Sequence, residues 1–163
     1  MESTRDFTIM DKKKKTNIRF RISFIKRISH FEHSLDELKL KERDVKNGNI
    51  ELNIFISVDE KNDEITFKVD TTFFINKNKK RIDLFGVEII HGFEVKNMGD
   101  IFPKNEKRKL EIPDNFMITL LNAVIGCLRG ILVLSRTNPE YQDIYLPALN
   151  MKKILPSITK LES

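Results

Sequence analysis

The stretch from Asp114 to Leu134 constrains the fold of this chain most, because as a helix it would be apolar around nearly its whole circumference. Pro113 precedes it, and Asp114 or Asn115 can cap the first free N–H groups of a helix. After the cap, only a threonine, an asparagine, an arginine and two glycines interrupt the apolar residues. A helix of this kind must be hidden on most sides, in a core, an oligomer interface or a membrane.

The length of the stretch makes a membrane span an alternative, since about 20 apolar residues cross a bilayer. Arg129 counts against a span, because an arginine in the hydrocarbon costs roughly 2.5–3.5 kcal/mol on insertion scales. Thr119 and Asn122 add polar groups, and the two glycines, with Ile131 and Val133, raise the alternative that the C-terminal end is not helical. The sequence therefore favours a helix packed on a sheet and on another subunit. We expect four apolar residues at the subunit interface: Leu121, Val124, Ile125 and Leu128.

Four segments alternate apolar and polar residues, which is the pattern of strands with one buried face. They are residues 17–29, 50–58, 65–73 and 87–95, and the turns between the last three are short and polar. In the first segment the apolar residues share one face and basic residues share the other. Gly86 and Gly92 mark bulges or bends in the fourth segment. Residues 33–48 form either a long loop or a short irregular edge strand.

A last short helix is predicted to open at Leu146-Pro147, to carry Ala148, Met151, Ile154 and Leu155 on one stripe, and to end at Pro156. The order of elements predicts an α+β protein. Its four-stranded antiparallel sheet, a meander or a Greek key, is packed by the long apolar helix and the short C-terminal helix in one domain, residues 17–160. Residues 1–16, which include the run Lys12–Lys15, are predicted to be a flexible basic tail.

Composition narrows the function classes. The 163 residues carry 29 basic and 24 acidic side chains, so a net charge of +5 permits an acidic partner. The single Cys127 excludes an intrachain disulfide and fits a reducing compartment. The apolar run Phe7–Met10 is too short for a signal peptide, so we expect a cytoplasmic protein.

Catalytic and metal-binding patterns are weak. There is no glycine-rich phosphate loop and no HExxH motif. His30 and His33 are three residues apart, so on a strand they point to opposite faces. His91 lies on the apolar side of its strand and is interpreted as a core histidine with satisfied nitrogens, Cys127 as core, and Arg129 as paired or bonded to carbonyls at the helix end. We expect no enzymatic turnover, no cofactor and no metal.

The C-terminal third resembles the SecB export-chaperone family. In that family a helix ends in Arg-Gly, a loop follows, and a Pro-Val-Asn-type motif opens the final helix. The corresponding residues are Arg129-Gly130 and Leu146-Pro147-Ala148-Leu149-Asn150, with Asp114-Asn115 before the long helix. Earlier segments are similar too. They are Ile28-Ser29-His30-Phe31-Glu32, Glu94-Val95 and Gly99-Asp100-Ile101-Phe102.

The resemblance implies a dimer of dimers that acts as an ATP-independent holdase and binds unfolded or pre-export polypeptides in apolar grooves. Eight residues match groove positions, with the alternative that all of them are ordinary core: Ile50, Leu52, Ile54, Ile101, Phe102, Met151, Ile154 and Leu155. Glu32 and Glu94 match acidic positions with which the family docks the translocase motor ATPase. This chain departs from the family in being basic, in carrying Arg27 where an acidic residue is expected, and in having no long tail after the last helix.

Two uses of such a chaperone stay open, general export and service to one dedicated partner such as an antitoxin. A different class of function is a nucleic-acid-binding or scaffolding module built on the basic runs Lys12–Lys15, Lys77–Arg81 and Lys104–Lys109. No aromatic residue interleaves these runs, as base stacking would require, so nucleic acid is the less favoured partner. A direct membrane partner is not expected.

Overall fold

In the computed structural model, the described residues are 5–11, 14–46 and 48–160, with side chains for 17–46 and 48–158. The strands are β1 (Arg5–Asp11), β2 (Lys14–Glu32), β3 (Asn49–Asp59), β4 (Glu64–Lys77), β5 (Lys80–Val95) and β6 (Thr159–Lys160). The helices are α1 (Glu42–Val45), α2 (Met98–Ile101), α3 (Asp114–Ser135) and α4 (Met151–Ile154). Two 3₁₀ turns cover Pro139–Tyr141 and Leu155–Ser157.

The strands form one sheet in the order β1-β2-β5-β4-β3-β6. Its centre is the predicted four-stranded antiparallel sheet, so the α+β class is confirmed. Strands β3, β4 and β5 follow one another through short turns, and β2 lies beside β5, which makes the connectivity a Greek key. Each central strand is longer than its alternating pattern, because polar residues continue the pairing past the buried part.

The N-terminal residues were expected to be a flexible tail, and this prediction is wrong for most of them. β1 pairs with the first part of β2 from Arg5 opposite Phe20 to Asp11 opposite Lys14. Backbone pairing along an existing strand stabilises even a polar segment, which a reading based on charge runs overlooks. Lys12 and Lys13 lie outside the described residues.

Helix α3 lies against the sheet and buries one stripe of side chains. The buried residues are Phe116, Met117, Leu120, Leu121, Val124, Ile125, Leu128, Leu132 and Ser135. The helix continues to Ser135, so the alternative of a non-helical end is wrong. By length and composition α3 could cross a membrane, but the core helix of a soluble protein passes the same test. Here its apolar stripe is occupied by the sheet.

Three local predictions need correction. Pro113, with no side-chain hydrogen bond, occupies the cap position before α3, in place of Asp114 or Asn115. Residues 33–46 hold turns and the short helix α1, so the loop alternative gains one helical turn and the edge-strand alternative is wrong. The last helix begins only at Met151, because the Asn150 side chain accepts a hydrogen bond from the N–H of Lys153 and so caps it there.

Candidate functional site

The eight predicted groove residues all belong to one hydrophobic cluster, but they divide into two depths. Ile54, Phe102 and Met151 are buried, with 6%, 3% and 5% of their surface exposed. They form part of the core, which corrects their assignment as contact residues. Five others are only half-buried and pack on this floor: Ile50, Leu52, Ile101, Ile154 and Leu155. We call these five the groove wall.

The groove wall is assembled from three parts of the chain. Ile50 and Leu52 lie on the same face of β3 as the buried Ile54 and Ile56, because side chains two residues apart on a strand point the same way. This face is the one toward the helices. Ile101 ends α2, while Ile154 and Leu155 lie where α4 passes into its 3₁₀ turn. Helix α3 packs over β5, and the C-terminal segment reaches β3 through β6. α2 lies at the turn that follows β3, where Met98 N donates to Asp63 Oδ1, whereas Ile50 and Leu52 lie near the start of β3.

β3, the strand that holds Ile50 and Leu52, has one largely open backbone edge. On one side β3 pairs with β4 over its whole length, from Asn49 to Asp59. On the other side β6 pairs in parallel with Phe55 and Ile56 alone. Within 48–160, no strand covers the rest of this edge. An unpaired strand edge beside apolar side chains can accept extended backbone.

The predicted subunit-interface residues lie inside the protomer. Leu121, Val124 and Leu128 are fully buried and Ile125 is 1% exposed, so none of them has surface to offer a second copy. The opposite side of α3 is the accessible one. It carries small or polar residues such as Asn122, Gly126 and Gly130, and near its end Val133 and Leu134 are exposed by 52% and 85%.

A second apolar surface, absent from the sequence predictions, lies on β2. Four of its large apolar residues are exposed by 39–50%: Ile22, Phe24, Ile25 and Ile28. We call them the β2 apolar surface; Phe24, opposite Gly92, lies on the other face of the sheet from Ile22 and Ile25, which are opposite Phe93 and His91. β1 covers β2 only as far as Phe20, and the described part of the chain places no strand beside residues 21–32 on that side. Arg27 donates a hydrogen bond to Ser135 Oγ over 3.0 Å, which brings the end of α3 to this surface.

Two irregularities in the pairing of β2 with β5 break the predicted alternation after Ile22. They fall between Ile22 and Phe24 and between Arg27 and Ser29. Each bulge moves the following side chains to the other face of the sheet. Phe24 therefore lies over Gly92, and Phe31 lies over Gly86, where a Cβ atom would clash with the ring. Gly86 and Gly92 were the feature of the sequence that could have revealed this arrangement. The sequence predicts bulges or bends there, whereas in the structure each glycine leaves room for an aromatic ring of β2.

The two acidic residues predicted to dock a translocase are engaged within the protomer. Glu32 accepts hydrogen bonds from Thr137 N, Thr137 Oγ1 and Asn138 N. Burial raises the pKa of Glu32, but these hydrogen bonds outweigh it and hold the pKa below its usual value. Glu94 forms an ion pair with Arg21 at 2.7 Å. Both carboxylates already have partners that stabilise the fold.

His91 and Cys127 are the side chains that the sequence analysis considered as candidates for catalysis or metal binding. His91 is buried as predicted, but no described residue bonds to either ring nitrogen, so the expectation of satisfied nitrogens is wrong. Burial lowers its pKa to about 4. Cys127 is half-buried, and burial raises the pKa of its thiol, which disfavours the thiolate. Among the described residues, no cluster of three histidines, cysteines or carboxylates could hold a metal.

Arg129 makes the kind of bond that was predicted, but to different carbonyls. Its Nη2 donates to Pro147 O over 2.8 Å and its Nε to Leu146 O over 3.4 Å, which ties α3 to the segment that leads into α4. A different arginine, Arg136, binds a carbonyl at the end of α3: its Nε donates a hydrogen bond to Leu132 O. The same guanidinium also donates to Tyr141 O and Ile144 O. Both arginines therefore hold the C-terminal segment in place.

Comparison with known proteins gives no family assignment. No protein-family model and no curated protein matches the chain. Among solved structures, a protein of unknown function from Streptococcus agalactiae aligns over 90% of this chain and 99% of its own, with 10% identity and a TM-score of 0.23. A TM-score this low supports no conclusion about either protein. The resemblance to SecB therefore stays a prediction from the sequence.

Proposed function

We propose that this protein is an ATP-independent holdase that binds extended apolar segments of unfolded polypeptides. The observation that carries the proposal is the groove wall: five apolar side chains from three separate elements stay half-exposed on one core, and two of them belong to the strand with the open edge, β3. Soluble proteins rarely leave such a row uncovered unless it binds something. An extended segment could bond its backbone to the edge and bury alternate side chains against the wall.

The proposed function needs no enzymatic turnover and no cofactor. Whether the clients are export substrates or one dedicated partner is a matter of their sequence, and both fit the same groove. Docking to a translocase ATPase through Glu32 and Glu94 has little support, because their oxygens are occupied by Thr137, Asn138 and Arg21.

The alternative that the protein binds nucleic acid also has little support. Within the basic runs, Lys77 pairs with Asp44, Arg81 with Glu51 and Asp83, and Lys104 with Glu60. These pairs neutralise charge that would otherwise face phosphates. Nucleic-acid binding would weaken steeply with rising salt, whereas capture of apolar segments would not.

The proposal includes self-association of several copies of the chain. The contacts between copies differ from those that the sequence predicts. The β2 apolar surface replaces Leu121, Val124, Ile125 and Leu128 as the place where copies meet. Its isoleucines are spaced symmetrically about Ile25, so a two-fold antiparallel pairing would set Ile22 opposite Ile28 of the second copy. A further pairing of such dimers into a tetramer is what the resemblance to SecB implies.

The groove is tested by truncating wall and floor residues side by side. Leu52→Ala and Leu155→Ala should keep thermal midpoints near that of the parent, because both side chains are already part-exposed, but should weaken suppression of aggregation of an unfolded test protein. Ile54→Ala is the matched floor variant on the same face of β3. It should lose roughly 2–5 kcal/mol of stability, the usual range for a buried isoleucine.

If Leu52→Ala and Leu155→Ala lose as much stability as Ile54→Ala yet suppress aggregation normally per folded molecule, the wall is ordinary core. The groove would then lie elsewhere.

A further inference from the structure

The C-terminal strand β6 occupies part of the edge that the proposed client would use. Thr159 pairs with Phe55 and Lys160 with Ile56, in parallel orientation. Ile158, just before this strand, is half-buried and packs against the same hydrophobic cluster as the groove wall. The chain thus lays its own extended segment along β3, with an apolar side chain turned into the cluster.

The pairing is short. It spans two residues of β3, whereas β4 pairs with all of β3 on the other side. Parallel pairing is slightly less stable per residue than antiparallel pairing. A two-residue strand with so few ladder bonds is also the kind of element that opens locally without unfolding the rest. β6 therefore can leave the edge while the antiparallel sheet stays intact.

The segment before β6 is held more firmly. Arg129 bonds the carbonyls of Leu146 and Pro147, and the side chain of Asn150 caps α4. Met151 is buried at the floor of the groove. Release of β6 would therefore uncover the edge of β3 without removing Ile154 and Leu155 from the groove wall.

We propose that β6 is an internal plug of the groove, which an extended apolar segment displaces when it binds along β3. The inference rests on the proposed holdase function and adds regulation to the same site. β6 and the incoming segment make similar contacts, since each is an extended backbone with apolar side chains directed toward the same hydrophobic cluster. The incoming segment gains over the plug by continuing along Asn49–Ile54, which β6 leaves open.

The test compares a locked and an opened plug in the 163-residue chain. Phe55→Cys with Thr159→Cys, in a Cys127→Ser background, places two thiols at a paired position of neighbouring strands, which are about 5 Å apart. Thr159→Pro with Lys160→Pro removes the N–H groups with which β6 could donate to β3. The probe is reduced, carboxymethylated α-lactalbumin, a permanently unfolded polypeptide, in a direct binding assay.

Binding of the probe should weaken at least several-fold when the cysteine pair is oxidised, and should recover on reduction. The proline variant should bind more tightly than the parent, by roughly tenfold if the plug is closed about nine-tenths of the time. Lys77→Cys with Lys80→Cys, paired beside the β4–β5 turn, is the matched control for oxidation and should bind as the parent does.

Two failures are distinguishable. Equal binding by the parent, the oxidised pair and the proline variant overturns the plug and leaves the holdase function standing. Binding by none of them, including the proline variant with its open edge, overturns the holdase function and the plug with it.

Discussion

His91 is the residue whose surroundings give the sharpest prediction about stability. Its ring is 1% exposed and stacks on Phe93 with centroids 4.4 Å apart, and no described residue bonds to its nitrogens. Burial without an acceptor disfavours the imidazolium and lowers the pKa from 6.5 to about 4. The folded protein must therefore keep this histidine neutral.

The expected result is a loss of stability in mild acid. Above pH 6.5 His91 is neutral in both states, so it adds no pH dependence. As the pH falls from 6.5 to about 4, the unfolded chain takes up a proton that the folded chain refuses, and the free energy of unfolding decreases. The total decrease is roughly 3 kcal/mol, by about 1.4 kcal/mol per pKa unit. Urea unfolding at several pH values measures it.

His91→Leu should remove this part of the pH dependence, because leucine cannot be protonated. His30→Leu is the control, since His30 is exposed on β2. An unchanged slope between pH 6.5 and 4 in His91→Leu would assign the acid sensitivity to other groups.

The β4–β5 hairpin is the element whose local geometry can be improved by a single change. A two-residue turn joins Lys77 to Lys80, and both turn residues have positive φ, 52° at Asn78 and 62° at Lys79. Two-residue hairpins of this kind favour Asn-Gly, because glycine adopts the left-handed conformation without steric cost. Lys79→Gly should therefore raise the free energy of unfolding by about 1 kcal/mol.

The matched control for the turn is Lys80→Gly, one residue later and inside β5. It should lower stability by about 0.5–1 kcal/mol, because glycine in a strand loses more conformational entropy on folding. Thermal unfolding of both variants decides the matter. Equal shifts in both would show that turn geometry does not limit the stability of the hairpin.

At the scale of the whole molecule, the β2 apolar surface predicts self-association. Ile25→Glu places a carboxylate at the centre of the surface, where a contact between copies would bury it unpaired at considerable cost. Light scattering should show an oligomer for the parent and a smaller species for the variant, with an unchanged circular dichroism spectrum. Lys61→Glu, in the turn between β3 and β4, adds an acidic group away from β2 and should leave the assembly intact. A monomeric parent at micromolar concentration would contradict the prediction.

The sequence by itself determined the four central strands and the long helix. The alternation around Ile50, Ile65 and Val87 places strands correctly, because a half-buried strand must alternate. The continuous apolar run of α3 likewise identifies a helix that has to be covered. The α+β class follows from their order, since one apolar face of a sheet and one apolar helix satisfy each other.

Only the tertiary structure decided which apolar side chains stay accessible. Leu52 and Ile54 are both aliphatic and share a strand and a face, yet Leu52 is half-buried and Ile54 is buried, because the cover of each depends on remote parts of the chain. The bulges in β2 turned Phe24 onto Gly92, and alternation cannot register an inserted residue. The edge pairing of β6 with Phe55 and Ile56 is likewise a contact between remote segments with no local pattern. Alternation reports local geometry, whereas exposure depends on what the rest of the chain lays on top.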